Sequence, residues 1–457
     1  MKTLKKDLLL QMIKFVNLVL MCVPFYFCWF YYYSTRALIT LNSITMWLVV
    51  LIFAVLYTIL GKIYDAFLIP QNKVFEMIYS QSLAVLIADL LTYVIIVILA
   101  QELVTYVPGA IAFCGQIVVS IIWSIFVHYW YYKVFGKSTT AIIYDVRKNL
   151  DKLIEQYGLD KKYDVKMNLS VEECLADISQ LDGLETVFLS GVHSRDRNII
   201  LKYCIEHDIT MFVIPRVGDT IMSGAHREHM LHLPILRVHR YHPSPEYLFI
   251  KRAIDIVFSL VVMIVLSPLF LITALAIKTD GGPVFYRQVR LTKDGKEFKV
   301  IKFRSMRVDA EKDGHAHLSS GDNDDRITKV GKIIRKVRVD ELPQFLNIIG
   351  GSMSIVGPRP ERPEIADLYE KEMPEFRLRL QAKAGLTGYA QVYGKYNSSS
   401  YDKLQMDLMY IANPSLIEDI KIILATVKII FISDSTEGFT ESQLNEIQSI
   451  AEEEADD

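Results

Sequence analysis

Cysteine is scarce: five residues in 457, at positions 22, 28, 114, 174 and 204, with no C-x-x-C pair. That argues against a zinc ribbon or a disulfide framework and fits thiols kept reduced in a cytosol-facing protein. Net charge is nearly absent as well, at −2, and nucleic acid is not among the expected partners. Glycine is missing where a dinucleotide site would need it. The first candidate strand runs into AIIYDVRKN, without the turn that cradles a phosphate. His226, His229 and His232 share a spacing of three and could meet on one helix face. No Cys or carboxylate stands beside them at ligand spacing, so they read as a polar helix face rather than a metal site.

Apolar sequence is abundant. The hydrophobic fraction is 51% and mean hydropathy is +0.25, values that point to membrane segments. Four runs, 15–33, 44–60, 83–100 and 111–130, approach the ~20 residues that cross a bilayer. Lys2, Lys5, Lys6 and Lys14 precede the first run, Lys62 and Lys73 follow the second, and Lys133 and Lys137 follow the fourth; the intervening short loops carry only Arg36. Both ends of this four-helix anchor are therefore expected in the cytosol. With more spans behind it and no small-residue cleavage site, the first run does not read as a removable signal.

A chain of this length holds two or three domains. From 139 to 240, short β-rich runs at 141–144, 185–189, 210–214 and 235–238 alternate with helical stretches, the pattern of a small parallel, Rossmann-like α/β domain. A fifth apolar run, 254–277, is interrupted by Ser267 and Pro268 and carries basic residues on both flanks: Lys251 and Arg252 before it, Lys278, Arg287 and Arg290 after it. Proline bends a helix, and a serine beside it can satisfy freed carbonyls. Two basic flanks then predict a helix that enters the membrane and returns to the same side. Another apolar run, 417–431, is short and contains Asp419, Lys421 and Lys428, so it reads as an interfacial helix. The boundaries expected are 1–137 for the anchor, 138–242 for the α/β domain, 243–435 for a C-terminal α+β domain with the re-entrant helix at about 248–277, and 436–457 for an acidic tail.

The chemistry concentrates in the C-terminal domain. From Gly282 onward, PVFYRQVRLTKDGKEFKVIKFRSM reads as a β-hairpin turning at Asp294-Gly295, with Lys302 and Arg304 on one face, suited to phosphate. Residues 328–337 have core-facing Val330, Ile333, Ile334 and Val337 at helical spacing. Asp340 is expected to cap the next helix, with Pro343 in its first turn. Neighbouring residues on a helix diverge by about 100°, so Asp340 and Glu341 should take separate roles: one carboxylate attacking phosphorus, the other holding Mg2+. Arg335 could neutralise phosphate oxygens. Pro358 and Pro360 stiffen the backbone around Arg359, which limits the entropy lost when that guanidinium binds.

KRAID at 251–255, Ser267-Pro268, KFRSM at 302–306, DELPQ at 340–344, GPRP at 357–360 and GLTGYAQV at 385–392 together closely resemble the bacterial sugar transferase family, the monotopic polyprenyl-phosphate phosphoglycosyl transferases. The resemblance covers about residues 245–432, and the preceding spans and α/β domain are similar to the family's large form. It implies a membrane enzyme using Mg2+, a UDP-sugar donor and undecaprenyl phosphate as acceptor. Within it, Asp340 matches the nucleophile, Glu341 its metal-binding partner, and Arg335 and Arg359 the phosphate- or nucleotide-contacting positions. Lys251, Arg252 and Asp255 match the membrane-entry motif. Ser352, Tyr389 and Tyr393 depart from the common pattern. The expected setting is the cytoplasmic membrane with the catalytic domain facing the cytosol; a homodimer is compatible with the extra domain. Two rivals remain: a glycosyltransferase using Asp322-Asn323-Asp324 as a metal site, and a non-enzymatic membrane scaffold.

Overall fold

Apolar runs of this length can satisfy their backbone polar groups in lipid only as helices, and helices form over all four. The computed structural model describes residues 2–36, 43–70, 72–145, 150–156, 158–230, 232–279, 281–307, 326–394 and 399–430. The acidic tail and the Asp322-Asn323-Asp324 triplet lie outside them. Two compact units divide between Ile214 and Pro215.

The first unit opens with α1 (Lys2–Cys28), α2 (Ser43–Ile63), α3 (Val74–Ala100) and α4 (Val107–Phe135). Each contains a stretch long and apolar enough to cross a membrane. Large apolar side chains such as Phe15, Trp47 and Phe126 face outward, as lipid-facing positions should. Between the helices the contacts are partly polar: the Tyr57 hydroxyl donates to Asn17 Oδ1 at 2.7 Å and Ser120 Oγ donates to Gln81 Oε1 at 2.9 Å, the kind of bond that fixes helix register in lipid.

A four-stranded sheet follows, built from β1 (Ser138–Tyr144), β2 (Tyr163–Ser170), β3 (Thr186–Ser190) and β4 (Thr210–Ile214), with α5 (Leu150–Gln156), α6 (Val171–Ala176) and α7 (Ser194–Glu206) between strands. All pairings are parallel in the order β2-β1-β3-β4. Ala141, Ile142 and Ile143 are buried on central β1, as a strand covered on both faces requires. Sequence reading misses β2: it is an edge strand, YDVKMNLS, whose charged residues reach solvent.

The fourth strand expected at 235–238 does not join this sheet. Instead β5 (His226–Met230) and β6 (Leu233–Arg237) form an antiparallel hairpin in the second unit, after α8 (Val217–Ser223). The histidines expected on a helix face lie on that hairpin, with His232 in its turn at a φ of 62°. The segment ahead of residue 243 is tied to the C-terminal unit, since Thr220 Oγ1 donates to Gln405 Oε1 at 2.6 Å.

The fifth apolar run becomes α9 (Pro245–Val265) and α10 (Ser267–Thr279), bent by 64° across Leu266. Ser267 Oγ donates to the Ile264 carbonyl at 2.7 Å, supplying a donor beside the Pro268 bend. Phe249 and Ile264 are 77% and 71% exposed on α9.

The remaining elements are β7 (Phe285–Leu291), β8 (Glu297–Phe303), α11 (Lys329–Lys336), α12 (Gln344–Ile349), β9 (Ser354–Val356), α13 (Pro363–Glu372), β10 (Gly385–Thr387), α14 (Tyr389–Tyr393), α15 (Ser400–Ala412) and α16 (Leu416–Ile430). Their shared core gathers Phe345, Ile348, Met353, Ile355, Leu404 and Ile422. Helix α16 is not a purely interfacial element. Asp419 is buried and accepts from Tyr247, Lys251 and Tyr410, each at 2.9 Å. Three donors compensate the cost of burying that charge.

Candidate active site

The hairpin β7–β8 turns where the sequence says it should: Asp294 and Gly295 have φ of 61° and 72°, a left-handed geometry that Gly and Asp tolerate best. It pairs Tyr286 with Lys302. Asn347 of α12 then ties the two elements together, its Oδ1 accepting from the Ile301 N–H and its Nδ2 donating to the Lys299 carbonyl, both at 2.9 Å. A side-chain amide, which both donates and accepts, is suited to bridging a strand edge in this way.

Helix α11 starts at Thr328, whose Oγ1 accepts from the Gly331 N–H at 2.9 Å, a standard N-cap bond. After α11 the backbone reverses at Arg338, with φ of 57°. Asp340 does not cap a helix as expected from sequence. Asp340 and Glu341 lie in a single 3-10 turn, Val339–Glu341, and Pro343 is the residue that precedes α12. Proline suits that position because it has no N–H to leave unpaired.

Glu341 Oε1 receives Lys302 Nζ at 2.8 Å and Arg359 Nη2 at 3.3 Å, and its side chain is only 14% exposed. Burial alone would raise the Glu341 carboxyl, but Lys302, Arg359 and Arg338 outweigh it and hold the group well below the usual carboxylate range. Asp340 is shifted the other way. Burial, and then the Glu341 charge, raise it, while Lys302, Arg335 and Arg338 pull it back only in part. Two adjacent carboxylates are thus separated electrostatically, Glu341 shifted down by its cationic neighbours and Asp340 shifted up by burial.

Lys302, Glu341, Gln344, Arg359, Arg290 and Gly385 line one cleft. The structure therefore brings Lys302, Arg359 and Glu341 together in this cleft, with Asp340 beside Glu341 in the same turn and the Lys302 and Arg335 charges within electrostatic reach of it. Pro358 and Pro360 bracket Arg359, and the Pro358 carbonyl accepts from Gly385 N–H at 2.9 Å. Arg290 and Gln344 were not picked out from sequence. In the sequence Arg290 reads only as a basic flank of the fifth apolar run, and Gln344 only as the last residue of the DELPQ motif.

The other sequence candidates bond elsewhere. Arg304 is 7% exposed and donates to the carbonyls of Ile277, Gly281 and Pro283, holding the exit of α10 rather than facing the cleft. Lys251 is paired with Asp419. Arg252 donates to the Ile348 and Ile349 carbonyls at 2.6 and 2.7 Å, capping the C-terminal end of α12, where a cation is favoured. Buried Asp255 accepts from Ile355 N–H at 2.9 Å. The KRAID segment thus joins α9 to β9, α12 and α16.

Among the described residues no three His, Cys, Asp or Glu side chains converge, so no all-protein metal cage is formed there. Mg2+ needs less: one or two carboxylates, with phosphate oxygens and water completing its shell. Asp340 and Glu341 in one turn supply that donor set, so the residues fit the ion.

Residues 246–433 match the family described as bacterial sugar transferase. Over 234 residues the chain is 38% identical to the UDP-N-acetylgalactosamine-undecaprenyl-phosphate N-acetylgalactosaminephosphotransferase of Aeromonas hydrophila, covering 50% of this chain and 54% of that protein. It is 38% identical over 224 residues to the UDP-glucose:undecaprenyl-phosphate glucose-1-phosphate transferase of Escherichia coli (strain K12), covering 48% of each. It is also 41% identical over 201 residues to the exopolysaccharide production protein PSS of Rhizobium leguminosarum bv. phaseoli, covering 42% of this chain and 98% of that protein. The chain spans about half the length of the first two relatives and nearly all of the third.

Proposed function

This chain belongs to the bacterial sugar transferase family, and on that footing we propose that it transfers a sugar 1-phosphate from a UDP-sugar to undecaprenyl phosphate at the start of polysaccharide synthesis. The observation that carries this reading is the cleft in which Lys302 and Arg359 both hold Glu341, with Asp340 one residue away.

Asp340 is the nucleophile. Its carboxylate oxygen attacks the sugar-bound phosphorus, the bond from that phosphorus to the UMP oxygen breaks, and UMP leaves with the electron pair. An oxygen of the lipid phosphate then attacks the same phosphorus, the acyl-phosphate bond breaks, and the Asp340 carboxylate is restored. A raised carboxyl still ionised at neutral pH makes a better nucleophile than an ordinary aspartate. Arg359, Lys302 and Arg335 supply positive charge for the phosphoryl oxygens, and preorganised charge in a partly dry cleft is the largest source of such stabilisation. When bound at Asp340 and Glu341, Mg2+ would screen the diphosphate charge.

The bent pair α9–α10 is read as a re-entrant element. Its 64° bend, its outward apolar side chains and the basic residues on both flanks support an entry and exit on the cytosolic side. That side has soluble nucleotide sugars. A cysteine introduced near Asp340 and labelled from outside intact cells by an impermeant reagent would contradict this topology.

The reaction is tested with the full chain in lipid nanodiscs, a panel of UDP-sugars and undecaprenyl phosphate. The expected product is UMP. Release of UDP instead would favour direct glycosyl transfer and overturn the assignment.

A further inference from the structure

Arg359 sits between two prolines, so its neighbours offer no backbone N–H with which to anchor the clamp. The clamp is held through its carbonyls, and all three have donors. Gly385 N–H reaches Pro358 O at 2.9 Å, Arg379 Nη2 reaches Arg359 O at 2.8 Å, and Arg290 Nη1 reaches Pro360 O at 3.2 Å. Two of these three donors are guanidinium groups.

Arg379 is itself fixed. Its side chain is 5% exposed and that of Asp407 on α15 is 1% exposed. Arg379 Nε and Nη2 both meet Asp407 Oδ2, at 2.9 and 2.7 Å, and its guanidinium lies over the Phe376 ring at 4.9 Å. Glu361, the residue after the clamp, links the two guanidiniums, with Oε1 at 3.9 Å from Arg379 and Oε2 at 3.7 Å from Arg290. A buried ion pair is a poor device for stability alone, because desolvation offsets its attraction. It is an effective device for holding geometry, since Arg379 keeps a fixed fork with one nitrogen aimed at the Arg359 carbonyl.

We propose that Arg379, locked by Asp407, is a positioning residue that sets where the Arg359 guanidinium meets Glu341 and the anionic part of the substrate. This rests on the transfer reaction proposed above. Arg379 acts only through Arg359, so the two side chains must be coupled energetically.

A double-mutant cycle on the full chain in nanodiscs tests this, with R359A, the charge-neutral pair R379Q/D407N, and their combination, read by UMP release and separately by titration with inorganic pyrophosphate. Neutralising both buried partners leaves no stranded charge. R379Q/D407N should lower kcat/KM by about 100-fold, the scale of a misplacement near 1 Å, and R379K should fall between it and wild type. In the R359A background the same pair should cost less than about two-fold, because coupled sites are not additive. Losses that multiply in the combined variant would overturn the proposal. Where R379Q/D407N fails to fold, R379K, which keeps the buried charge but loses the fork that reaches the Arg359 carbonyl, repeats the cycle with the same expected coupling. If wild type releases no UMP from any UDP-sugar, the transfer reading fails, and the titration still decides the positioning role: R379Q/D407N weakens pyrophosphate binding only when Arg359 is present. Equal weakening in the R359A background, or no pyrophosphate binding by wild type, overturns it.

Discussion

Lys302 Nζ stands 2.8 Å from Glu341 Oε1 although they lie 39 positions apart in the chain, and Arg359 Nη2 meets the same oxygen at 3.3 Å. This convergence holds one carboxylate as an anion while its neighbour Asp340 is raised.

Replacing Lys302 with Met removes the nearest counterion of Glu341 and one source of phosphoryl stabilisation. The rate of UMP release should fall on the order of 100-fold, the usual cost of one preorganised donor. A K302M enzyme within about two-fold of wild type would remove Lys302 from the site.

The pH dependence follows from the same charges. In the proposed mechanism Asp340 must be ionised to attack, and burial with the Glu341 charge raises it above the ordinary value of 3.8. Activity should therefore fall as pH drops through a range above that value, giving an acid limb in kcat/KM. Lys302 pulls Asp340 down, so K302M should move this limb to higher pH. A limb that stays in place would separate it from Asp340.

Asp340→Asn should abolish transfer yet raise the melting temperature at pH 7–8. The sign comes from linkage. A carboxyl raised in the folded state is deprotonated more readily when unfolded, so its ionisation destabilises the fold above its folded pKa, and stability is regained as pH falls through it. An isosteric amide removes that penalty, as expected of a site where activity is traded against stability. Differential scanning fluorimetry should show the rise shrinking toward acid pH.

Gly331 is held by close approach: a Cβ there would run into the Ser305 backbone carbonyl. Gly331→Ala should destabilise the protein by about 1–3 kcal/mol, the usual cost of overpacking. The displaced helix α11 carries Arg335, so transfer should fall along with the melting temperature.

Asp255→Ala strands the buried Ile355 N–H that Asp255 now receives. A loss of about 1–3 kcal/mol is expected for an unsatisfied buried donor, visible as a lower midpoint in nanodiscs. Asp255→Asn keeps an acceptor oxygen and should lose less.

What could be read along the chain was local. Four spans follow from the length of the apolar runs, the hairpin turn from Asp294-Gly295, and the existence of α11 from the helical spacing of Val330, Ile333, Ile334 and Val337, although of these Ile334 is buried while Ile333 and Val337 are exposed rather than core-facing. These signals lie within one turn or one element. Errors arose where a local preference was overruled. Histidines at helical spacing were drawn into the β5–β6 hairpin, Asp340 entered a 3-10 turn ahead of Pro343, and β2 hid its edge position behind a charged sequence.

By itself, then, the sequence determined the membrane helices, the bend at Ser267-Pro268 and the ordered motifs that identify the family, because each depends on neighbouring residues. Only the tertiary structure decided what each charge does. Arg252 and Arg304 bond backbone carbonyls, Lys251 meets Asp419 across 168 positions, and Arg379 reaches Asp407 and the Arg359 carbonyl. A basic side chain looks the same in sequence whether it faces phosphate or a carbonyl. Its partner is chosen by the packing that brings distant segments together and by the penalty on any buried charge left without one.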